Sequence, residues 1–116
     1  MPKMNIKATI NNDIENTSFE VPAIIQEDII KYKENQETMV LYNYQENSLS
    51  RDNKELRMNY NFDEQRKTKG SIQIKELGQI IELEIETKKI ERKNNNIEIQ
   101  FTIEEKDFLY KIEEIK

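Results

Sequence analysis

The chain has 116 residues, of which 35% are hydrophobic and 35% charged, a composition that predicts one domain, residues 1–116, with a small core. Its 23 acidic residues outnumber its 18 basic ones, and the formal net charge of -5 disfavours nucleic acid as a partner. Because the chain has neither histidine nor cysteine, its sequence excludes disulfides, Cys-type zinc sites and catalysis by Ser–His or Cys–His pairs.

The N-terminal sequence MPKMNIKATI lacks the apolar run of a signal peptide. No stretch of about 18 apolar residues follows that could cross a membrane as a helix. The sequence therefore predicts an acidic cytoplasmic protein with no membrane partner, and no motif in it calls for a cofactor.

The first two predicted strands follow from apolar residues at alternate positions. Met4, Ile6 and Ala8 alternate with polar residues, NNDIEN follows as a turn, and Phe19 and Val21 mark the second strand.

The next stretch, residues 22–35, leaves two structures open. Ile25, Ile29 and Tyr32 lie at helical spacing after Pro22, a residue that is common in a first helical turn. The same residues also fit a bent pair of strands, so the sequence does not decide between a short helix and strands.

Alternation resumes in the middle of the chain. In TMVLYNYQE, Val40, Tyr42 and Tyr44 share one face. The turn sequence RDNK then precedes a strand, and a further strand lies between the two glycines, Gly70 and Gly78. The apolar residues of these two strands are Leu56, Met58, Tyr60 and Phe62 in the first, and Ile72 and Ile74 in the second.

The clearest strands lie in the C-terminal third. In IELEIE, residues 81–86, each apolar residue is followed by a glutamate, which places the glutamates on the solvent face of an extended chain. After the turn RKNNN the alternation continues in IEIQFTI, residues 97–103, and after EEKD a last strand contains Phe108, Tyr110 and Ile112. These glutamates are predicted to be solvated rather than catalytic.

About eight short strands separated by polar turns, with no crossover helices between most of them, indicate an all-β antiparallel meander. An up-and-down barrel would bury the apolar face of such a sheet and remove its exposed edges.

The order of these pieces resembles the YwiB-like family of bacterial proteins. The resemblance rests on an aromatic strand ending in Tyr44 and Glu46, Arg51 in a polar turn, a strand led by Gly70, and a strand ending in Thr87. It implies a lipocalin-like (calycin-like) β-barrel with no assigned function. Between Glu46 and Arg51 the chain lacks part of an expected strand pair, so the resemblance leaves the strand count and the closure of the barrel open.

The candidate site residues are aromatic or charged. Four tyrosines occupy the same alternate strand positions as the apolar residues and are therefore expected to point inward. Two arginines and one glutamate lie near them in sequence. If an arginine reached inward, these residues would line a polar pocket; the alternative is that the tyrosines belong to the core and that Arg57 faces water. The candidates are Tyr42, Tyr44, Glu46, Arg51, Arg57, Tyr60 and Tyr110.

The sequence thus predicts a non-enzymatic barrel that binds a small apolar or amphipathic ligand. The alternative is a protein-interaction or structural module that acts as a homodimer. Three apolar residues fall outside the alternate positions that are predicted to face inward, and they are the candidate surface anchors of such a dimer: Ile30, Leu109 and Ile115.

Overall fold

The computed structural model describes residues 3–13 and 15–115, and it confirms the all-β prediction. In the described residues, ten antiparallel strands each pair with their neighbours in sequence, and β1 pairs with β10, so the up-and-down barrel is closed. The number of strands exceeds the predicted eight. The strands are β1 (Lys3–Asn11), β2 (Asn16–Gln26), β3 (Ile29–Lys33), β4 (Met39–Asn43), β5 (Ser48–Asp52), β6 (Leu56–Asn61), β7 (Thr68–Ile74), β8 (Gln79–Lys93), β9 (Asn96–Ile103) and β10 (Lys106–Ile115).

Two short strands account for the difference in strand number. Residues 22–35, which the sequence left open, form the end of β2, a turn at Glu27 and Asp28, and β3. The strand β5 was missed because Leu49 is the only apolar residue in SLSRD, so no alternation is visible. The prediction that Arg51 lies in a polar turn is wrong, since this residue is in β5.

The predicted inward phase is confirmed in most strands. Side chains at alternate positions meet in one core, whereas Glu82, Glu84 and Glu86 are exposed on the outer face of β8. The buried hydrophobic residues are Ile6, Ala8, Ala23, Ile30, Tyr32, Val40, Tyr42, Tyr44, Leu49, Tyr60, Phe62, Ile85, Ile97, Ile99, Phe101, Ile103, Tyr110 and Ile112.

Because consecutive strands run in opposite directions, the turns alternate between the two ends of the barrel. We call one end the upper end; it carries the connections that follow β1, β3, β5, β7 and β9. The lower end carries the connections that follow β2, β4, β6 and β8. No helix in the described part of the chain is long and apolar enough to span a membrane.

Gly70, in β7, allows the core to pack closely at one point of the barrel wall. A Cβ atom added there would lie 2.9 Å from the backbone oxygen of Asn59, from Cδ1 of Tyr60 and from Cδ1 of Ile85. We expect Gly70→Ala to lower the free energy of unfolding by about 2 kcal/mol, because overpacking a tight core forces its neighbours to move. Chemical denaturation would measure this loss.

The second glycine provides the control for that substitution. Gly78 has a φ of 64° in the turn after β7, and an added Cβ would meet no atom within 4 Å. Since asparagine tolerates the left-handed backbone, we expect Gly78→Asn to cost less than about 0.5 kcal/mol. Equal losses in the two variants would contradict the steric account of Gly70.

Candidate ligand site at the upper end of the barrel

Arg51 is the one basic residue in a row of inward-facing positions that crosses eight strands. Residues paired across neighbouring strands lie on the same face of a sheet, and all other members of this row are apolar or aromatic. The guanidinium of Arg51 therefore extends into the barrel rather than into solvent, and its side chain is 27% exposed. The row consists of Met4, Ala23, Tyr32, Val40, Arg51, Met58, Ile72 and Ile81.

Glu34 forms an ion pair with this arginine at the upper end. It lies two residues after Tyr32 and so has the same inward phase, and its side chain is only 9% exposed. Nη2 of Arg51 donates a hydrogen bond of 2.6 Å to Oε2 of Glu34. The other carboxylate oxygen, Oε1, and Nε of Arg51 are both buried and have no hydrogen-bond partner among the described residues. Each member of the pair therefore keeps one buried polar atom, an acceptor in Glu34 and a donor in Arg51, without a partner.

A cavity of about 340 Å³ opens at the same end of the barrel, and neither Arg51 nor Glu34 is among the residues that line it. Its wall is mainly apolar, and its rim, formed by the connections that follow β1 and β9, is mainly acidic. Arg51 is cross-strand from Met58, which is cross-strand from Ile72 in the cavity wall. The wall residues are Tyr60, Ile72, Leu83, Ile103 and Phe108, and the rim residues are Asn12, Asp13, Glu15, Glu104 and Lys106.

Two buried tyrosines lie close to the ion pair. The hydroxyl oxygens of Tyr32 and Tyr110 are 2.7 Å apart and hydrogen-bonded to each other. Burial raises the pKa of Tyr110 well above its usual value and also raises that of Tyr32, although the hydrogen bond to Tyr110 opposes the rise for Tyr32. Both phenols are therefore neutral hydrogen-bonding groups at neutral pH, not bases.

Tyr42 and Tyr44 point inward as predicted, but their hydroxyls are bonded within the lower end. The hydroxyl of Tyr42 donates to Oδ1 of Asn47 at 3.0 Å, and that of Tyr44 donates to the backbone oxygen of Asn95 at 2.8 Å. Burial raises the pKa of Tyr44 to about 12, against the opposing charge of Arg92, whose guanidinium carbon lies 4.3 Å from the centroid of the Tyr44 ring. These two tyrosines close the lower end of the core.

The structure separates the remaining predicted site residues. Tyr60 lines the cavity, and burial raises its pKa, against the charge of Arg51. Glu46 is exposed in the turn after β4, and Arg57 faces solvent, where it pairs with Asp52 at 3.3 Å. Of the predicted site residues, Tyr60 thus lines the cavity, Arg51 forms the ion pair at the same end and Tyr110 bonds to Tyr32, whereas Glu46 and Arg57 lie outside the core.

Glu34 and Tyr32 were not among the predicted site residues. The spacing of these two residues gives them one strand face, but that signal required residues 22–35 to be assigned as a strand. No group of three or more carboxylates in residues 3–13 and 15–115 is arranged to hold a metal ion.

The chain matches no family model, and comparison with curated proteins and with solved structures found no significant match to either. The resemblance to the YwiB-like family therefore stays a prediction.

Proposed function

We propose that the protein is a binding protein rather than an enzyme, and that it holds a small apolar or amphipathic molecule at the upper end of the barrel. The observation that carries this proposal is an apolar cavity at the end of the barrel that also holds two unpartnered buried atoms, Glu34 Oε1 and Arg51 Nε. A buried polar atom without a partner is costly, and a ligand that supplies the partner recovers that cost. The cavity volume falls in the range of sites for small molecules.

The chemistry of the site favours a neutral polar head. The free acceptor and free donor suit a group that both donates and accepts, such as a carboxamide or a hydroxyl. Asp13, Glu15 and Glu104 at the rim repel anions, and Lys106 is the one basic rim residue among the cavity's described lining. An aliphatic or aromatic body would pack against Ile72 and the rest of the apolar wall.

A neutral fluorescent probe tests this proposal. We expect N-phenyl-1-naphthylamine to bind saturably with one site per chain, and Leu83→Arg to weaken that binding by at least about tenfold, because it places a charge in the apolar wall. Ile80→Arg is the matched control: Ile80 lies on the same strand, but it is on the outer face and 65% exposed. We expect it to change the affinity by less than about twofold.

The polar head is tested by competition against the probe. We expect decanamide to displace the probe at lower concentration than decanoate, and this preference to shrink in the variant Glu34→Gln/Arg51→Met, which removes the free charged donor and acceptor. Circular dichroism would establish that each variant keeps its strand content. Absence of saturable probe binding to the folded wild-type protein, or equal loss with Leu83→Arg and Ile80→Arg, would contradict the proposal.

The alternative prediction, a homodimer, stays a prediction. The prediction that Ile30 is a surface anchor of the dimer is wrong, because this residue is buried in the core. Leu109 is half-buried and Ile115 is exposed. Light scattering over a range of protein concentrations would show whether a second copy binds.

A further inference from the structure

The N-terminal part of β8 has hydrogen-bonded neighbours on one side only. Residues 79–84 pair with β7, from Gln79 opposite Ile74 to Glu84 opposite Lys69. The pairing of β8 with β9 begins only at Ile85, opposite Ile103, where β9 ends. No strand within residues 3–13 and 15–115 pairs with the other edge of residues 79–84. This segment, the β8 edge, therefore presents backbone donors and acceptors outward at alternate residues.

The β8 edge lacks lysine, proline and a bulge, three of the features that normally block strand addition. Exposed edges are usually protected by lysine, proline or a bulge, but the β8 edge has the sequence QIIELE, and the irregularity in β8 occurs later, between Thr87 and Lys89. Ile80 is 65% exposed on the outer face, and Ile81 is 44% exposed on the inner face. Such an edge is suited to accept a further strand.

A second unpaired edge in the barrel shows the contrast. Strand β2 pairs with β3 only from Ala23 onward, so residues 16–22 are also open on that side. Their outward positions are polar until Pro22, and this proline has no N–H to donate. The two edges thus differ in composition: the β8 edge contains the exposed Ile80 and Ile81, and its only charged residues are acidic.

The charge around the β8 edge selects the partner. Glu82 and Glu84 line its outer face, and Glu104 and Glu105 are exposed in the turn that follows the end of β9. Lys67 contacts Glu84 at 3.3 Å, whereas Glu82 makes no ion pair within the described residues. Two copies paired through this edge would bring these carboxylates together, which is unfavourable. An added strand with basic side chains would instead neutralise them.

We propose that the β8 edge binds an extended basic segment of a partner protein, which joins the sheet as an additional strand. Its lysine or arginine side chains lie beside Glu82 and Glu84 on the outer face. Its alternate side chains are apolar, and they lie beside Ile81 and Leu83, of which Leu83 lines the cavity. The main-chain hydrogen bonds supply affinity, and the alternation of basic and apolar side chains supplies specificity.

Labelled synthetic peptides test this proposal by fluorescence anisotropy and by amide hydrogen exchange. We expect the peptide KVKVKVKV to bind, and to slow exchange at alternate amides of residues 79–84. The peptide EVEVEVEV is expected to bind at least about tenfold more weakly because of its charge. A KVKVKVKV peptide with every backbone nitrogen methylated keeps the charges but loses the amide donors, and it is also expected to bind at least about tenfold more weakly.

A pair of charge-reversal variants separates the β8 edge from general charge attraction. Glu82→Lys/Glu84→Lys is expected to weaken KVKVKVKV binding by at least about tenfold. The control Glu27→Lys/Asp28→Lys makes the same change in net charge at exposed residues of the lower end, and we expect less than about a threefold effect. Equal loss in both variants, unchanged binding of the methylated peptide, or protection confined to residues outside 79–84 would overturn the proposal. So would self-association through the β8 edge at the concentrations used.

Discussion

Raising the pH above about 10 is expected to unfold the barrel cooperatively, and tyrosinate is expected to form only as it unfolds. The chain has five tyrosines, and all of them are buried in the core. Burial is the main cause that raises the pKa of each of these phenols above its ordinary value, with Tyr44 at about 12. No tyrosine is left on the surface to titrate normally.

The direction of the effect follows from proton binding. Above pH 10 the unfolded chain loses its phenolic protons while the folded chain keeps them, so the free energy of unfolding falls as the pH rises. Each tyrosine contributes up to about 1.4 kcal/mol per pH unit, or roughly 7 kcal/mol per unit for all five. Since small domains are stable by only about 5–15 kcal/mol, the barrel should unfold within one to two pH units above about 10.

A single pH titration would follow both events: ultraviolet absorbance measures the formation of tyrosinate, and circular dichroism measures the loss of strand structure. The two transitions are expected to coincide, at a pH above that at which the chain titrates in concentrated denaturant. The variant Tyr44→Phe removes the hydroxyl with the raised pKa of about 12 and should shift the transition to higher pH. Formation of tyrosinate near pH 10 with the strand signal intact would show that at least one phenol is not buried.

The sequence was most informative where alternation is regular. In residues 81–85 of β8 and in residues 97–103 of β9 every second residue is isoleucine, leucine or phenylalanine. A two-residue period can only place those side chains on one face of an extended strand. That pattern outweighed the helical propensity of glutamate and lysine. It also assigned the glutamates of β8 to solvent, where the structure has them.

The pattern failed where the strands are short or where inward positions are polar. β5 contains one apolar inward residue, Leu49, followed by the inward Arg51, so its strand character depends on pairing with β4 and β6 rather than on its own residues. Glu34 was missed for the same reason, since a glutamate in an inward position looks like a turn residue. Arg51 pairs with Glu34 because the strands bring the two residues together, and a pattern of neighbouring residues in the sequence does not show which strands lie side by side.

Removing Arg51 alone is expected to destabilise the barrel more than any surface substitution. Arg51→Met leaves the carboxylate of Glu34, 9% exposed, without its cationic partner. Breaking a buried ion pair by deleting one member typically costs 3–5 kcal/mol; because Arg51 is 27% exposed, we expect about 3 kcal/mol. Denaturant-induced unfolding at neutral pH would measure the loss.

The double variant and an exposed pair show whether this cost comes from the uncompensated charge. Glu34→Gln/Arg51→Met removes both charges and is expected to recover at least about half of the loss, since the buried pair itself adds little net stability. The control Arg57→Met breaks an exposed pair with Asp52, which keeps Lys75 as a partner at 2.6 Å, and it should cost less than about 1 kcal/mol. A double variant as unstable as Arg51→Met would mean that packing of the arginine side chain, not charge compensation, holds this end of the barrel. The ion pair would then lose its place in the binding proposal, because its polar atoms would be incidental to a side chain retained for its volume.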